Sequence, residues 1–202
     1  MIEWFKEYWY LAVIFVVVCI IAAVIFYFAG KSYSSYRAAY RNQEAEIKRL
    51  TELKGRFVPL TQSAVENSDS AETLEGVALS YQLFLQKQED MEKEFSLMSE
   101  PQRYAYILDV FVQDKSLDEF FRQNGNILKK EITSAFELIG MKDFADKIEN
   151  IRKMFDDEDD VTSLDQSQID ALQKYADDND IYTEVKLRSA EYIKNNSQLF
   201  VK

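Results

Sequence analysis

Between Tyr8 and Gly30 the chain carries no charged residue, and Leu11 to Ala29 is almost wholly Val, Ile, Ala, Phe and Leu. At about 1.5 Å rise per residue, a helix over this run crosses the roughly 30 Å hydrocarbon core of a bilayer. Trp4, Tyr8, Trp9 and Tyr10 precede it, and Tyr27 and Phe28 close it, as interfacial aromatic belts do. A cleavable signal peptide would need a positive n-region and small residues before its cut. Here Glu3 and Glu7 outweigh Lys6, and the bulky Tyr27 stands where a cut at Ala29-Gly30 needs a small side chain. Residues 1–30 are expected to form an uncleaved transmembrane anchor with a short outer tail.

The flanking charges give its direction. Lys31, Arg37, Arg41, Lys48 and Arg49 follow the span, whereas only Lys6 precedes it. The positive-inside rule places the N-terminus outside and the rest in the cytoplasm, making a single-pass membrane protein. Residues 31–56 hold seven Lys/Arg against three Glu, net +4, and residues 57–202 hold 16 against 30, net −14. A basic neck, residues 31–58, therefore joins the anchor to an acidic body.

In the neck, Tyr33, Tyr36, Tyr40, Gln43, Ile47, Leu50, Lys54 and Phe57 recur at three- and four-residue spacing. Such a stripe fits a parallel homodimer through residues 33–57. Its polar breaks, Gln43 and Lys54, and its tyrosines favour instead a single helix laid on its own domain or on the bilayer, where the basic residues would meet anionic headgroups. Pro59 and the polar residues up to Ser70 mark a linker, 59–70.

Residues 71–202 read as an acidic helical domain. Only five glycines and two prolines occur in 202 residues, so sheet and turn are poorly supported. Ala71 to Phe95 shows helical apolar spacing, and Ser99-Gln102 and Ser116-Glu119 are capping-box pairs. Asn124-Gly125 is expected to end one helix, Asn126 to cap the next and Gly140 to end that one. Further helices are expected over Lys142–Phe155, Gln166–Ala176 and Ile181–Asn195. The fold class is all-α: one N-terminal transmembrane helix followed by a multi-helix cytoplasmic bundle.

Several chemistries are disfavoured. With no histidine, the commonest general base and zinc ligand is missing. The single cysteine, Cys19, lies within the apolar run, which leaves no disulfide framework. No phosphate-cradling glycine loop occurs. The acidic run from Asp156 lacks the glycine and glutamate that a calcium-binding EF-hand loop places at its sixth and twelfth positions. The phenylalanines Phe84, Phe95, Phe111, Phe120, Phe121, Phe136, Phe144 and Phe155 have the spacing of a packed core. No catalytic, cofactor-binding or metal-binding residues are assigned, no cofactor is expected, and the protein is expected not to be an enzyme.

The stretch FFRQNGNILKKEITSAFELIG, residues 120–140, resembles the bacterial DNA-mimic protein domain family in its Phe120-Phe121 pair, Asn124-Gly125 turn and Ala135 helix ending in Leu138-Ile139-Gly140. Residues 170–196 are similar to the acidic helix pair that closes that domain. The resemblance spans roughly residues 75–198 and implies a helical domain that binds DNA-binding proteins rather than DNA, with no direct nucleic-acid binding. A mimic must array carboxylates at something like duplex density, one charge per roughly 1.7 Å of axis. The candidate partner-binding residues are Asp156, Asp157, Glu158, Asp159, Asp160, Asp165, Asp170, Asp177, Asp178, Asp180 and Glu184. Such runs also serve simply as solvated surface. The expected function is a non-enzymatic, membrane-anchored interaction module whose acidic domain binds a basic protein partner. The alternative is a structural subunit assembled through the transmembrane helix and neck.

Overall fold

The computed structural model describes residues 40–156 and 165–201. The proposed membrane span lies outside the described residues, among which no helix is long and apolar enough to cross a membrane. Every regular element described is helical, so the all-α fold class holds. The chain divides into two units after Thr51.

In the first unit residues 40–51 are helical, with Glu46 paired to Arg49 at 2.7 Å. Tyr40 and Ile47 are each 59% exposed, and Leu50 is exposed too, so that part of the neck stripe faces solvent.

The second unit opens with helical residues 52–57, whose Leu53 and Phe57 are wholly buried. Nine α-helices follow among the described residues: α1 Gln62–Glu66, α2 Ser70–Leu85, α3 Met91–Leu97, α4 Glu100–Asp114, α5 Leu117–Gln123, α6 Asn126–Leu138, α7 Lys142–Asp156, α8 Gln166–Asp178 and α9 Ile181–Asn195. A 3₁₀ turn, Ser197–Leu199, closes them. Most begin at a side-chain cap, which satisfies N–H groups that a helix start leaves without partners. Thr61 Oγ1 accepts from Ala64 N at 3.2 Å, Asp69 from Ala71 N at 2.8 Å, and Asp90 from Lys93 N at 3.1 Å. At α4 the N–H of Ser99 donates to Gln102 Oε1 at 3.2 Å, one arm of the expected capping box.

Three local expectations differ from the structure. Residues 59–70 hold α1, with Val65 buried, because their polar side chains act as caps and ties: Lys194 Nζ donates to Ser68 O at 2.5 Å, and Ser197 Oγ to Glu66 at 2.9 Å. The apolar spacing from Ala71 to Phe95 is divided between α2 and α3, since Asp90 starts a new helix. Gly125 does not end a helix in the left-handed region; with φ −64° and ψ 157° it is the N-cap of α6, and Asn126 is that helix's first residue. Asn124 ends α5 instead, its Nδ2 donating to Phe120 O at 3.0 Å and to Asp114 Oδ2 at 2.8 Å.

Gly140 is the helix end the sequence suggests. At φ +76° it occupies the left-handed region that a Cβ disfavours. Met141 N donates to Phe136 O at 2.9 Å and Gly140 N to Glu137 O at 3.0 Å, the paired closure of a Schellman motif.

The core is aromatic and centres on Phe111 of α4. Its ring meets Phe136 edge-on at 5.1 Å and Phe120 at 5.7 Å, and stacks on Tyr182 at 5.2 Å. Phe144 of α7 also meets it edge-on at 6.1 Å, so that five helices, α4, α5, α6, α7 and α9, converge on one ring. α9 also packs on α2, and α6 on α7. Tyr81 Oη, buried in α2, donates to Phe200 O at 2.8 Å and holds the chain's end against the bundle.

Candidate protein-docking surface

The proposed partner-binding carboxylates fall into three groups. Asp156 closes α7. Asp157, Glu158, Asp159 and Asp160 lie outside the described residues. The others are distributed along α8 and the start of α9.

On α8 the apolar residues Ile169, Leu172 and Ala176 are buried, which leaves Asp170, Asp177 and Asp178 on the exposed side. Asp165 caps the helix. Its Oδ1 accepts from Ser167 N at 3.0 Å and Ser167 Oγ at 2.5 Å, and its Oδ2 from Gln168 Nε2 at 2.8 Å. The Ser167 side chain, then Gln168, holds this carboxyl below its usual range, because hydrogen bonds to the charged form favour it. Asp170 accepts from Gln166 Nε2 at 3.0 Å.

At the other end, Asp177, Asp178 and Asp180 gather at the turn into α9. Asp180 has φ 49°, the left-handed conformation that aspartate tolerates better than most residues. Glu184 is half-buried and pairs with Arg188 at 2.7 Å, so it adds little net charge.

What results is an exposed strip along one helix, acidic at both ends and interrupted by the exposed Lys174. A helix of the length of α8 spans about 20 Å. Beside the strip, Lys147 Nζ lies 5.3 Å from the centre of the Tyr175 ring, a cation–π contact at an exposed aromatic. The strip can attract and orient a cationic surface. Among the described residues no group of three or more His, Cys, Asp or Glu side chains is placed to hold a metal ion.

Gln173 is the residue that sequence reading missed. Its Oε1 accepts from Leu117 N at 2.8 Å, and its Nε2 lies 3.0 Å from both Asp177 Oδ1 and Tyr182 Oη. One amide therefore ties the start of α5 to α8 and α9 and steadies the acidic turn. A lone glutamine in a polar helix face gives no local signal of such a role.

Comparison with family models, with curated proteins and with solved structures gave no match for this chain.

Proposed function

We propose that this protein is a non-enzymatic interaction module held at a bacterial inner membrane by residues 1–30, and that its acidic helical domain recruits a basic protein. The observation that carries this is the exposed α8 strip, with Asp165, Asp170, Asp177, Asp178 and Asp180 all accessible on a domain whose residues 57–202 are net −14. Carboxylates on a rigid helix steer a cationic partner at long range, and that attraction falls with salt.

The resemblance to the DNA-mimic family supplies the partner class, a DNA-binding protein. Duplex DNA over about 20 Å carries about 12 charges, roughly half on the face one protein meets. Five exposed carboxylates approach that half, while Lys174 subtracts from it.

The test is capture of partners by the full chain from host lysate, eluted with a salt ramp. A basic DNA-binding protein released by salt and displaced by duplex DNA is the expected result. Retention of nothing that salt releases overturns the proposal.

A second reading has its own observation. Tyr40, Ile47 and Leu50 are exposed on one helix at the stripe's spacing. An apolar stripe facing solvent suits assembly, so a homodimer through the neck, short of Phe57, which the domain's own core buries, or a structural subunit of a membrane complex, is the alternative.

A further inference from the structure

A groove of about 560 Å³ opens between the C-terminal end of α2, the helix α3 and the start of α6. Leu85, Met91, Phe95, Tyr106, Ile127 and Leu128 line it. Met91 is 54% exposed at its edge, although it is a large apolar side chain at the very start of a helix. Methionine at a groove edge adapts its shape to what enters.

Gly125 also lines this groove, and the fold does not require a glycine there. Its φ of −64° suits any residue, and a Cβ at that position would meet nothing within 4 Å. Ser, Asp or Asn would cap α6 better than glycine does. What glycine does supply is an open mouth. The charge at the groove leans acidic. Glu92 is the one charged side chain among its lining residues, and in the turn that joins α2 to α3 the exposed Glu89 and Asp90 outnumber Lys87.

We propose that this groove docks an amphipathic helix of the basic partner, with apolar anchors inserted between Phe95 and Ile127 and a Lys or Arg set beside Glu92. The inference rests on the basic-partner reading and adds to it a second, apolar contact that salt does not weaken. Helix-in-groove recognition of this kind takes its affinity from buried anchors and its orientation from the rim charge.

The experiment uses the full chain in zwitterionic nanodiscs, with empty nanodiscs subtracted, and three fluorescent probes. These are an amphipathic Leu/Lys helical peptide, its Leu/Glu counterpart, and polylysine without apolar anchors. The Leu/Lys peptide is expected to bind and to persist at high salt, whereas polylysine is released. Gly125→Trp, which plugs the mouth, should weaken the Leu/Lys peptide by at least roughly tenfold while leaving polylysine unchanged. Glu92→Lys, an exposed change that leaves the core untouched, should weaken it by about threefold to fivefold. Equal binding of the Leu/Lys peptide to wild type and both variants overturns the groove, while retained polylysine binding leaves the basic-partner reading standing. Equal binding of the Leu/Glu peptide overturns the charge assignment and with it the proposal. If neither Leu/Lys peptide nor polylysine binds, both readings fall.

Discussion

The ring of Phe57 occupies the space that a side chain on residue 76 would need: a Cβ there would lie 2.6 Å from Phe57 Cγ and closer still to Cδ2 and Cε2. Gly76 lies inside α2, where glycine costs about 1 kcal/mol relative to alanine through backbone entropy. The gap it leaves lets the buried Phe57 seat against the helix. Helical residues 52–57 are thereby part of the domain's core.

Gly76→Ala is therefore expected to destabilise, despite the helix propensity gained. Overpacking a filled core costs about 1–3 kcal/mol, which exceeds the propensity gain at the upper end of that range. Denaturant unfolding of the single variants and of Gly76→Ala/Phe57→Leu gives the coupling. The double variant should recover most of the loss, because the smaller side chain vacates the clash. A stabilised Gly76→Ala would mean that Phe57 moves aside freely.

Glu149 gives the pH dependence its sign. Hydrogen bonding from Arg152 at 2.7 Å, joined by Thr133 Oγ1 at 2.8 Å, lowers its carboxyl to about 2. A folded value below the unfolded one contributes stability that is complete above about 4.3 and disappears as pH falls toward 2. Discounted for its partial exposure, the contribution is about 1 kcal/mol. Thermal unfolding between pH 6 and pH 2 should show Glu149→Gln losing less stability than wild type across that window, and parallel curves would refute the assignment.

Tyr81 acts at the opposite end of the pH scale. Burial raises its phenol well above the usual range, since the charged form cannot be solvated there. For a group whose folded value is raised, stability is complete below the unfolded value of about 10 and declines as pH rises beyond it. Tyr81→Phe leaves the Phe200 carbonyl without this donor, at a cost of about 1–2 kcal/mol. Hydrogen exchange should report the loss first at residues 197–201. Uniform deprotection of the whole domain would show that the bond does not act locally.

These relationships separate what local chemistry encodes from what it does not. The starts at Ser99 and Ser116 and the end at Gly140 were legible, because caps are set by residues three or four apart. Asn124-Gly125 does end a helix, but Asn and Gly each suit that place, and it is Asn124, bound to Asp114 on another helix, that takes it, while Gly125 starts the next helix. The break after Leu85 has no glycine or proline to mark it, and Asp90 acts alone. Gly76, Gln173 and the Tyr81–Phe200 tie depend on partners distant in the chain, and no periodicity announces them. For the docking surface, the sequence identified the acidic residues, but which are free to meet a partner depends on Asp165 being committed as a cap and Glu184 as an ion pair.

That distinction decides how the acidic strip should be tested. Asp165→Asn weakens the start of α8 as well as the charge, so a binding loss there would be ambiguous. Asp170, Asp177 and Asp178 lie exposed on the helix, and Asp177 meets Gln173 through an acceptor that asparagine retains. The triple change Asp170→Asn, Asp177→Asn, Asp178→Asn should leave thermal stability nearly unaltered. Association with a cationic partner at low salt should slow by roughly tenfold, since steering depends on the summed field. At high salt the variant and wild type should converge, because screening removes what the substitutions removed. Stopped-flow rates at two ionic strengths read both effects. Equal rates at low salt would show that the strip serves only as solvated surface.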